Sequence, residues 1–104
     1  VLGGIPVLDE RYGNVWTNIP DTVFEKLGVA QGKSVEVTII GDGEVVFQDT
    51  LPYAHTFGEV AQGEPLLYLN DLLNVAFALN QADFAATHGI GSGGAWQVRI
   101  TRPE

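Results

Sequence analysis

The residues best suited to chemistry cluster in one short segment, which reads DERYGNVWTNIP and begins at Asp9. The side-chain amide of Asn14 offers both a donor and an acceptor, which matches the edge of adenine with its exocyclic amine and ring nitrogen. Tyr12, Trp16 and, from a later loop, Phe57 supply aromatic faces on which a purine can stack. Asp9 can pair with a ligand ammonium group. The segment therefore suggests a purine site; the alternative is that its aromatics belong to the core and its acid is solvated.

The remaining candidate motifs indicate no separate catalytic or metal site. His55 and His88 are the only histidines, and neither has an acid or a second histidine at the spacing of metal ligands, so surface or helix-end positions are expected. The glycine-rich run 89–94 follows a predicted helix and precedes a strand, whereas a phosphate loop runs from strand into helix, so it is interpreted as a connector. The chain has no cysteine, which excludes disulfides and thiolate ligands.

Length and charge narrow the class of protein. The chain has 104 residues with 13 acidic and 5 basic side chains, a net charge of -8. One domain with a real core is expected, and the charge argues against nucleic acid or an anionic membrane surface as partner. No apolar run approaches the ~18 residues of a membrane span and no signal peptide opens the chain, so a cytoplasmic location is expected. The opening VLGGIP is interpreted as a linker entering a strand, and the chain as a fragment of a longer protein.

Hydrophobic alternation and turn residues predict a mainly β protein. The predicted strands are 5–8, 14–19, 33–40, 44–50, 66–70, 73–79 and 95–101. A hairpin turn is predicted at Gly41–Gly43, and two short helices are predicted, one ending at Gly28 and the other spanning Asn80–His88 with Asp83 in a capping box. The pattern favours an all-β domain with two short helices, a small closed Greek-key-like antiparallel β-barrel of six or seven strands.

A family resemblance extends these predictions. The segment that begins at Asp9 resembles D-x-x-F-G-N-x-x-T-N-I, the signature that opens the carboxy-terminal domain of S-adenosylmethionine (SAM) hydroxide adenosyltransferases and of the fluorinating enzyme. Further matches follow in the family's order, and the resemblance runs from about Val7 to Ile100. These matches are Leu27-Gly28-Val29 with Gly32, Thr56-Phe57, Gly63-Glu64-Pro65-Leu66-Leu67, Asn70, and Asn80-Gln81 with Ala85.

The resemblance implies an enzyme in which water, or in some members a halide, attacks the 5′ carbon of SAM and displaces methionine. Hydrolysis of this kind yields adenosine and L-methionine, with SAM as the substrate and no further cofactor. The catalytic residues belong to an amino-terminal α/β domain, so none is predicted in this chain. The family's carboxy-terminal domain is a small β-barrel, and the substrate lies between it and the amino-terminal domain of a neighbouring subunit in a homotrimer.

The resemblance also assigns the adenosine end of the substrate to particular residues. Asn14 would hydrogen-bond the adenine edge, while Tyr12 and Phe57 would pack on the base or the ribose. Trp16 would line the pocket, and the backbone at Gln81 would complete adenine recognition. These positions match the family pattern, so adenosine binding is expected to be intact.

The methionine end departs from the family pattern. Asp9 would face the methionine amino group, but Asn70-Asp71 stands where the family has Asn-Ser, and that serine contacts the methionine carboxylate. An aspartate there repels a carboxylate. Leu72 replaces an arginine of the fluorinase, and Ala76 replaces a glutamate common in hydrolases. We therefore expect that the chain either holds the carboxylate differently or acts on another adenosyl compound.

Two further functions remain open from the sequence. One is a non-catalytic β-barrel module whose aromatic loop contacts a protein partner. The other is a degenerate family member that binds adenosine without turnover. The kind of domain that precedes Val1 in the complete protein would distinguish the interaction module from an enzyme. An assay of adenosine release would distinguish the degenerate family member from an active enzyme.

Overall fold

The computed structural model describes residues 1–9, 11–54 and 59–102. These residues form eight strands, two short α-helices and one 3₁₀ turn. The strands are β1 (Leu2–Ile5), β2 (Val7–Leu8), β3 (Val15–Pro20), β4 (Ser34–Gly41), β5 (Glu44–Pro52), β6 (Pro65–Leu69), β7 (Asn74–Leu79) and β8 (Gly93–Thr101). Helix α1 (Asp21–Phe24) continues as the 3₁₀ turn Glu25–Leu27, and helix α2 is Phe84–His88. The prediction of a mainly β domain with two short helices is confirmed.

The strands form two antiparallel sheets, in the orders β1-β8-β4-β5 and β2-β3-β7-β6. Pro6 separates β1 from β2 and has no N–H to donate, so the ladder breaks there and the chain passes from one sheet to the other. At the opposite edge the sheets meet through a single bridge between Tyr53 and Leu67, supported by the Ala54 N–H donating to the Leu67 carbonyl at 2.9 Å. The predicted closed barrel is therefore corrected to two sheets in the described parts of the chain.

Both sheets bury one face in a shared core. Alternate residues of each strand point inward, because successive side chains of a strand lie on opposite faces. Phe84 of α2 closes the core and is fully buried. The strand residues of this core with no more than 1% exposure include Val35, Val37, Ile39, Val98 and Ile100 from the first sheet and Val15, Ile19, Leu67, Val75 and Phe77 from the second.

Two predicted chain reversals are confirmed in detail. The β4–β5 hairpin turns through Asp42 and Gly43, whose φ angles of 52° and 80° suit a tight turn between twisted strands. Gly89 ends α2 with φ 68°, the left-handed conformation that glycine adopts without steric cost.

Helix α2 begins later than the sequence pattern predicts. Asp83 itself is the N-cap, and its carboxylate accepts the Ala86 N–H at 2.8 Å. Asn80 does not cap the helix, since its side chain donates to the Val60 carbonyl at 2.9 Å. Gln81 has φ 61°, which no α-helix accommodates. The result is a turn at residues 79–82, just before the helix.

The opening segment is a strand and not the predicted linker. Gly3 lies against β3 so closely that a Cβ there would overlap the Ile19 side chain. The Gly4 N–H donates to Asn18 Oδ1 at 2.8 Å, which ties β1 to β3. Gly3 therefore allows close packing of β1 on β3.

Candidate functional site

The candidate site starts from a closed loop between β2 and β3. The Asp9 N–H donates to the Asn14 carbonyl at 2.9 Å, and the Gly13 N–H donates to the Asp9 carbonyl at 2.7 Å. Asp9 also accepts the Arg11 N–H on Oδ1 at 3.1 Å. These bonds fix the loop and leave Tyr12 at its tip with 57% of its surface exposed.

Gly13 docks this loop on the start of α2. Its φ of 72° lies in the left-handed region, and a Cβ there would overlap the Asp83 carboxylate that caps the helix. The Gly13 carbonyl accepts the Ala85 N–H at 2.9 Å. The glycine of the signature is thus required twice, for its backbone angle and for the space beside it.

A tyrosine hydroxyl joins two of the predicted site residues. Asn14 immediately precedes β3, and it lies two positions before Trp16 of that strand. Across the sheet Trp16 pairs with Ala76, which in turn pairs with Tyr68. Asn14 Nδ2 donates to the Tyr68 hydroxyl at 2.9 Å, and Trp16 Nε1 donates to the same oxygen at 3.3 Å. The short side chain of Ala76 leaves room for these contacts.

The electrostatics of Tyr68 place the predicted carboxylates nearby. Burial raises the pKa of Tyr68, while the hydrogen bonds from Trp16 and Asn14 act in the opposite direction. The charges of Asp9 and Asp71 raise that pKa further. The phenol is therefore neutral at physiological pH, and two carboxylates act on its hydroxyl.

A cavity of about 400 Å³ opens beside this cluster. Its lining includes Tyr12, Asn14 and Gln81, so three of the predicted adenosine contacts lie around one space. Its volume is within the roughly 300–1,000 Å³ typical of small-molecule sites. The Arg11 guanidinium lies 5.2 Å from the centre of the Tyr12 ring, a cation–π arrangement that orders the ring at the cavity mouth.

The other predicted site residues that the structure describes do not line this cavity. Asp9 borders a neighbouring space with Gly13 and Asp83. Asn70 is buried at the β6–β7 turn, where its Oδ1 accepts the backbone N–H groups of Leu72 at 3.0 Å and Asn74 at 3.1 Å.

The Asn70 oxygen is thus engaged by the turn itself. Asp71 is exposed at that turn. Phe57 is outside the described residues.

Sequence reasoning did not single out Tyr68. The one available signal was a residue with a polar tip inside the apolar strand PLLYL. Such a tyrosine usually finds a hydrogen-bond partner when it is buried. Asn14 lies immediately before β3 and Trp16 lies within it, and only the strand order, which the sequence pattern did not establish, brings them to Tyr68.

The described ranges contain no cluster of metal-binding side chains and no helix that could cross a membrane. Within them no three His, Asp or Glu side chains lie close enough together to hold a metal ion. His88 packs against Phe47 and Phe84, with ring centroids 4.7 and 4.8 Å away. In the same part of the chain, no helix has both the length and the apolar character needed to cross a bilayer.

Comparison with known families identifies the class of the domain. Residues 3–97 match the model of the SAM hydroxide adenosyltransferase C-terminal domain. The chain belongs to this family, as the signature around Asn14 indicated.

Individual relatives agree with the family assignment. The chain is 35% identical to a fluorinase of Nocardia brasiliensis over 101 residues, which is 96% of this chain and 32% of that protein. It is also 35% identical to a fluorinase of an Actinoplanes species over 95 residues, 89% of this chain and 30% of the relative. The chain thus spans about a third of the length of these relatives.

Two solved structures share the fold. An uncharacterized conserved protein from Thermotoga maritima superposes with a TM-score of 0.82 at 27% identity, covering 95% of this chain and 35% of that one. A conserved hypothetical protein from Thermus thermophilus gives a TM-score of 0.65 at 28% identity, with 95% and 34% coverage. The fold therefore also occurs as part of longer chains.

Proposed function

We propose that this chain is the adenosyl-binding part of an enzyme that hydrolyses SAM to adenosine and L-methionine by attack of water at C5′. The observation that carries the proposal is the cavity at which Tyr12, Asn14 and Gln81 meet, in a domain of this family. An aromatic face, a side-chain amide and backbone polar groups are what a nucleoside base requires.

The proposed binding mode divides the substrate between two ends. Asn14 and the backbone at Gln81 bond the adenine edge, and Tyr12 packs on the base or ribose. Phe57 adds a second aromatic contact, and Trp16 supports the wall through its bond to the Tyr68 hydroxyl. The nucleophile and the residues that activate it come from an amino-terminal domain of a neighbouring subunit in a homotrimer.

The methionine end is the part in which this chain differs. The charges of Asp9 and Asp71 both raise the pKa of Tyr68. In the proposed binding mode Asp9 faces the methionine ammonium group, which it attracts, and Asp71 faces the methionine carboxylate, which it repels. We therefore propose that the carboxylate is held by groups outside this chain, or that the substrate is an adenosyl sulfonium without one.

A second candidate function follows from the β6–β7 turn. Leu72 and Leu73 are 70% and 56% exposed. Such exposed leucines suit a protein partner, as in a non-catalytic interaction module. A family member that binds adenosine without turnover is the intermediate case.

The test is binding and turnover in the whole protein, including any segments that flank residues 1–104. Calorimetric titration with adenosine and SAM, with chromatography of released adenosine, is expected to show binding of both and turnover. Asn14→Ala is expected to weaken adenosine binding roughly 10- to 100-fold, because a buried donor and acceptor pair is lost. Residues 1–104 alone are expected to bind weakly and to release no adenosine.

Each alternative has its own outcome in this test. Binding without turnover supports the degenerate homologue. Binding of neither ligand, together with retention of a protein partner that depends on Leu72 and Leu73, supports the interaction module and refutes the proposal.

A further inference from the structure

We propose that Tyr68 is a positioning residue that fixes which way the Asn14 amide faces, and that the site thereby selects a 6-amino purine over a 6-oxo purine. This inference rests on the proposed function, since it concerns the same cavity. It adds a residue and a selectivity that the adenosine-binding proposal does not contain.

The first step is the orientation of the amide. Asn14 Nδ2 donates to the Tyr68 hydroxyl at 2.9 Å, and Trp16 Nε1, two positions further along the chain, donates to the same oxygen at 3.3 Å. A hydroxyl oxygen offers two acceptor positions, and these two donors match that capacity. With the amide nitrogen turned toward Tyr68, the amide oxygen must face the other way.

The second step is where that oxygen faces. Asn14 is only 4% exposed, and it lines the cavity. In the described residues no donor bonds Asn14 Oδ1, and no fully buried side-chain N or O atom lacks a partner. Oδ1 therefore reaches the open space of the cavity and presents an acceptor to whatever fills it.

The third step is the other polar edge of the cavity. Gln81 takes φ 61° in the turn after β7, and it is one of the residues that line the cavity. The neighbouring amides of that turn are engaged, since the Asn80 N–H bonds the Glu64 carbonyl and the Ala82 N–H bonds the Leu79 carbonyl. Within the described residues the Gln81 N–H has no such partner, which leaves one donor beside one acceptor.

The last step is the match to the ligand. Adenine presents an amine donor next to a ring-nitrogen acceptor, which complements the Asn14 oxygen and the Gln81 N–H. Hypoxanthine presents a carbonyl in place of the amine, so its oxygen and the Asn14 oxygen, both acceptors, would face each other. A site built to bond a ligand donor rejects the analogue that lacks it far more strongly than an apolar pocket would.

Removal of the Tyr68 hydroxyl releases the amide. In Tyr68→Phe the Asn14 Nδ2 group loses the hydroxyl oxygen that accepts its hydrogen bond, and the amide can rotate by a half turn. It then offers Nδ2 to a ligand carbonyl as readily as Oδ1 to a ligand amine. Adenosine keeps a usable partner in the variant, and inosine gains one. We therefore expect Tyr68→Phe to change the ratio of the adenosine and inosine affinities more than it changes the adenosine affinity itself.

The experiment measures dissociation constants for adenosine and inosine in the whole protein by calorimetry. We expect the unmodified protein to prefer adenosine at least 100-fold, and Tyr68→Phe to narrow that ratio by roughly tenfold or more. Tyr53→Phe is the matched control. Tyr53 packs edge-on against Phe24 at 5.0 Å, away from the cavity lining, so its loss of a hydroxyl should leave the ratio unchanged.

A second readout needs no ligand. The side-chain amide protons of Asn14 in the free protein are expected to exchange with solvent more slowly than in Tyr68→Phe, as measured by NMR with asparagine labelled. This keeps the orientation testable if the affinities of the variant are too weak to compare.

The outcomes separate this inference from the proposed function. If neither nucleoside binds the unmodified protein, the proposed function fails and the selectivity falls with it. If adenosine binds but inosine binds equally well, or if Tyr68→Phe keeps the full preference and the Asn14 exchange rate, Tyr68 does not position the amide and only the further inference is overturned.

Discussion

Replacement of Gly13 by alanine tests how the candidate site is anchored to the fold. The Gly13→Ala change places a Cβ at a residue with φ 72° and against the Asp83 carboxylate. The left-handed conformation costs a non-glycine residue about 1–2 kcal/mol. Displacement of the Asp83 cap costs about 0.5–2 kcal/mol more. We expect a loss of about 1.5–4 kcal/mol from a total stability on the order of 5–15 kcal/mol.

The matched control for Gly13→Ala is Gly63→Ala. Gly63 also has a positive φ, 83°, but a Cβ there would meet nothing within 4 Å. It should therefore show the conformational cost alone, about 1–2 kcal/mol.

Urea unfolding of both variants, followed by the fluorescence of Trp16 and Trp96, gives the two free energies. Gly13→Ala should also lower the melting temperature by about 10–20 °C. Equal losses in the two variants would refute the steric part of the reasoning.

Further predictions concern the cluster around Tyr68 and the β6–β7 turn. Because the folded protein raises the pKa of Tyr68 above 10.0, the unfolded chain loses that proton first, so stability should fall as pH rises through about 10. Unfolding free energies from pH ~8 to ~11 should show less of this decline in Tyr68→Phe. Asn70→Ala removes the acceptor of the Leu72 and Asn74 N–H groups and should lower the free energy of unfolding by about 1–3 kcal/mol. Asn70→Asp keeps an acceptor and should lower it less. Equal losses for the two variants in urea unfolding would contradict this prediction. Asp71→Asn should strengthen SAM binding roughly twofold to fivefold in calorimetry, and should leave 5′-methylthioadenosine, which has no carboxylate, unchanged.

Local patterns predicted strands such as β4 and β8 because alternation along a strand records its buried face directly, whereas β7 is buried along its whole length after Asn74 and shows no such alternation. The left-handed glycines that end the two helical segments, Gly28 and Gly89, were also predictable, because the local backbone alone determines such ends. The start of α2 was misjudged because Asn80 and Gln81 also suit a turn, and the bridge from Leu79 to Ala82 favours the turn there. The opening glycines were interpreted as part of a linker, whereas Gly3 is required by its close approach to Ile19 of the other sheet.

The candidate site was predictable where it rests on one continuous segment. Asn14 and Tyr12 stand in the signature itself, so residue type and spacing were enough to single them out. Tyr68 was not predictable, because its role depends on strand order and on the small side chain of Ala76 between it and Trp16. The turn role of Asn70 was also missed, since an asparagine that bonds its own backbone has the same residue type as one that bonds a ligand.

The bond between Asn14 and Tyr68 joins residues 54 positions apart, from two strands that are separated in the sheet by β7. Contacts of such long sequence separation form only after the loop between them has closed. The cavity wall is therefore completed only when the second sheet is assembled, and no half-folded form of the domain retains it. A nucleoside that binds only the assembled sheet stabilises that sheet by mass action. Nucleoside binding should therefore protect the backbone amides of β3, β6 and β7 together from hydrogen exchange.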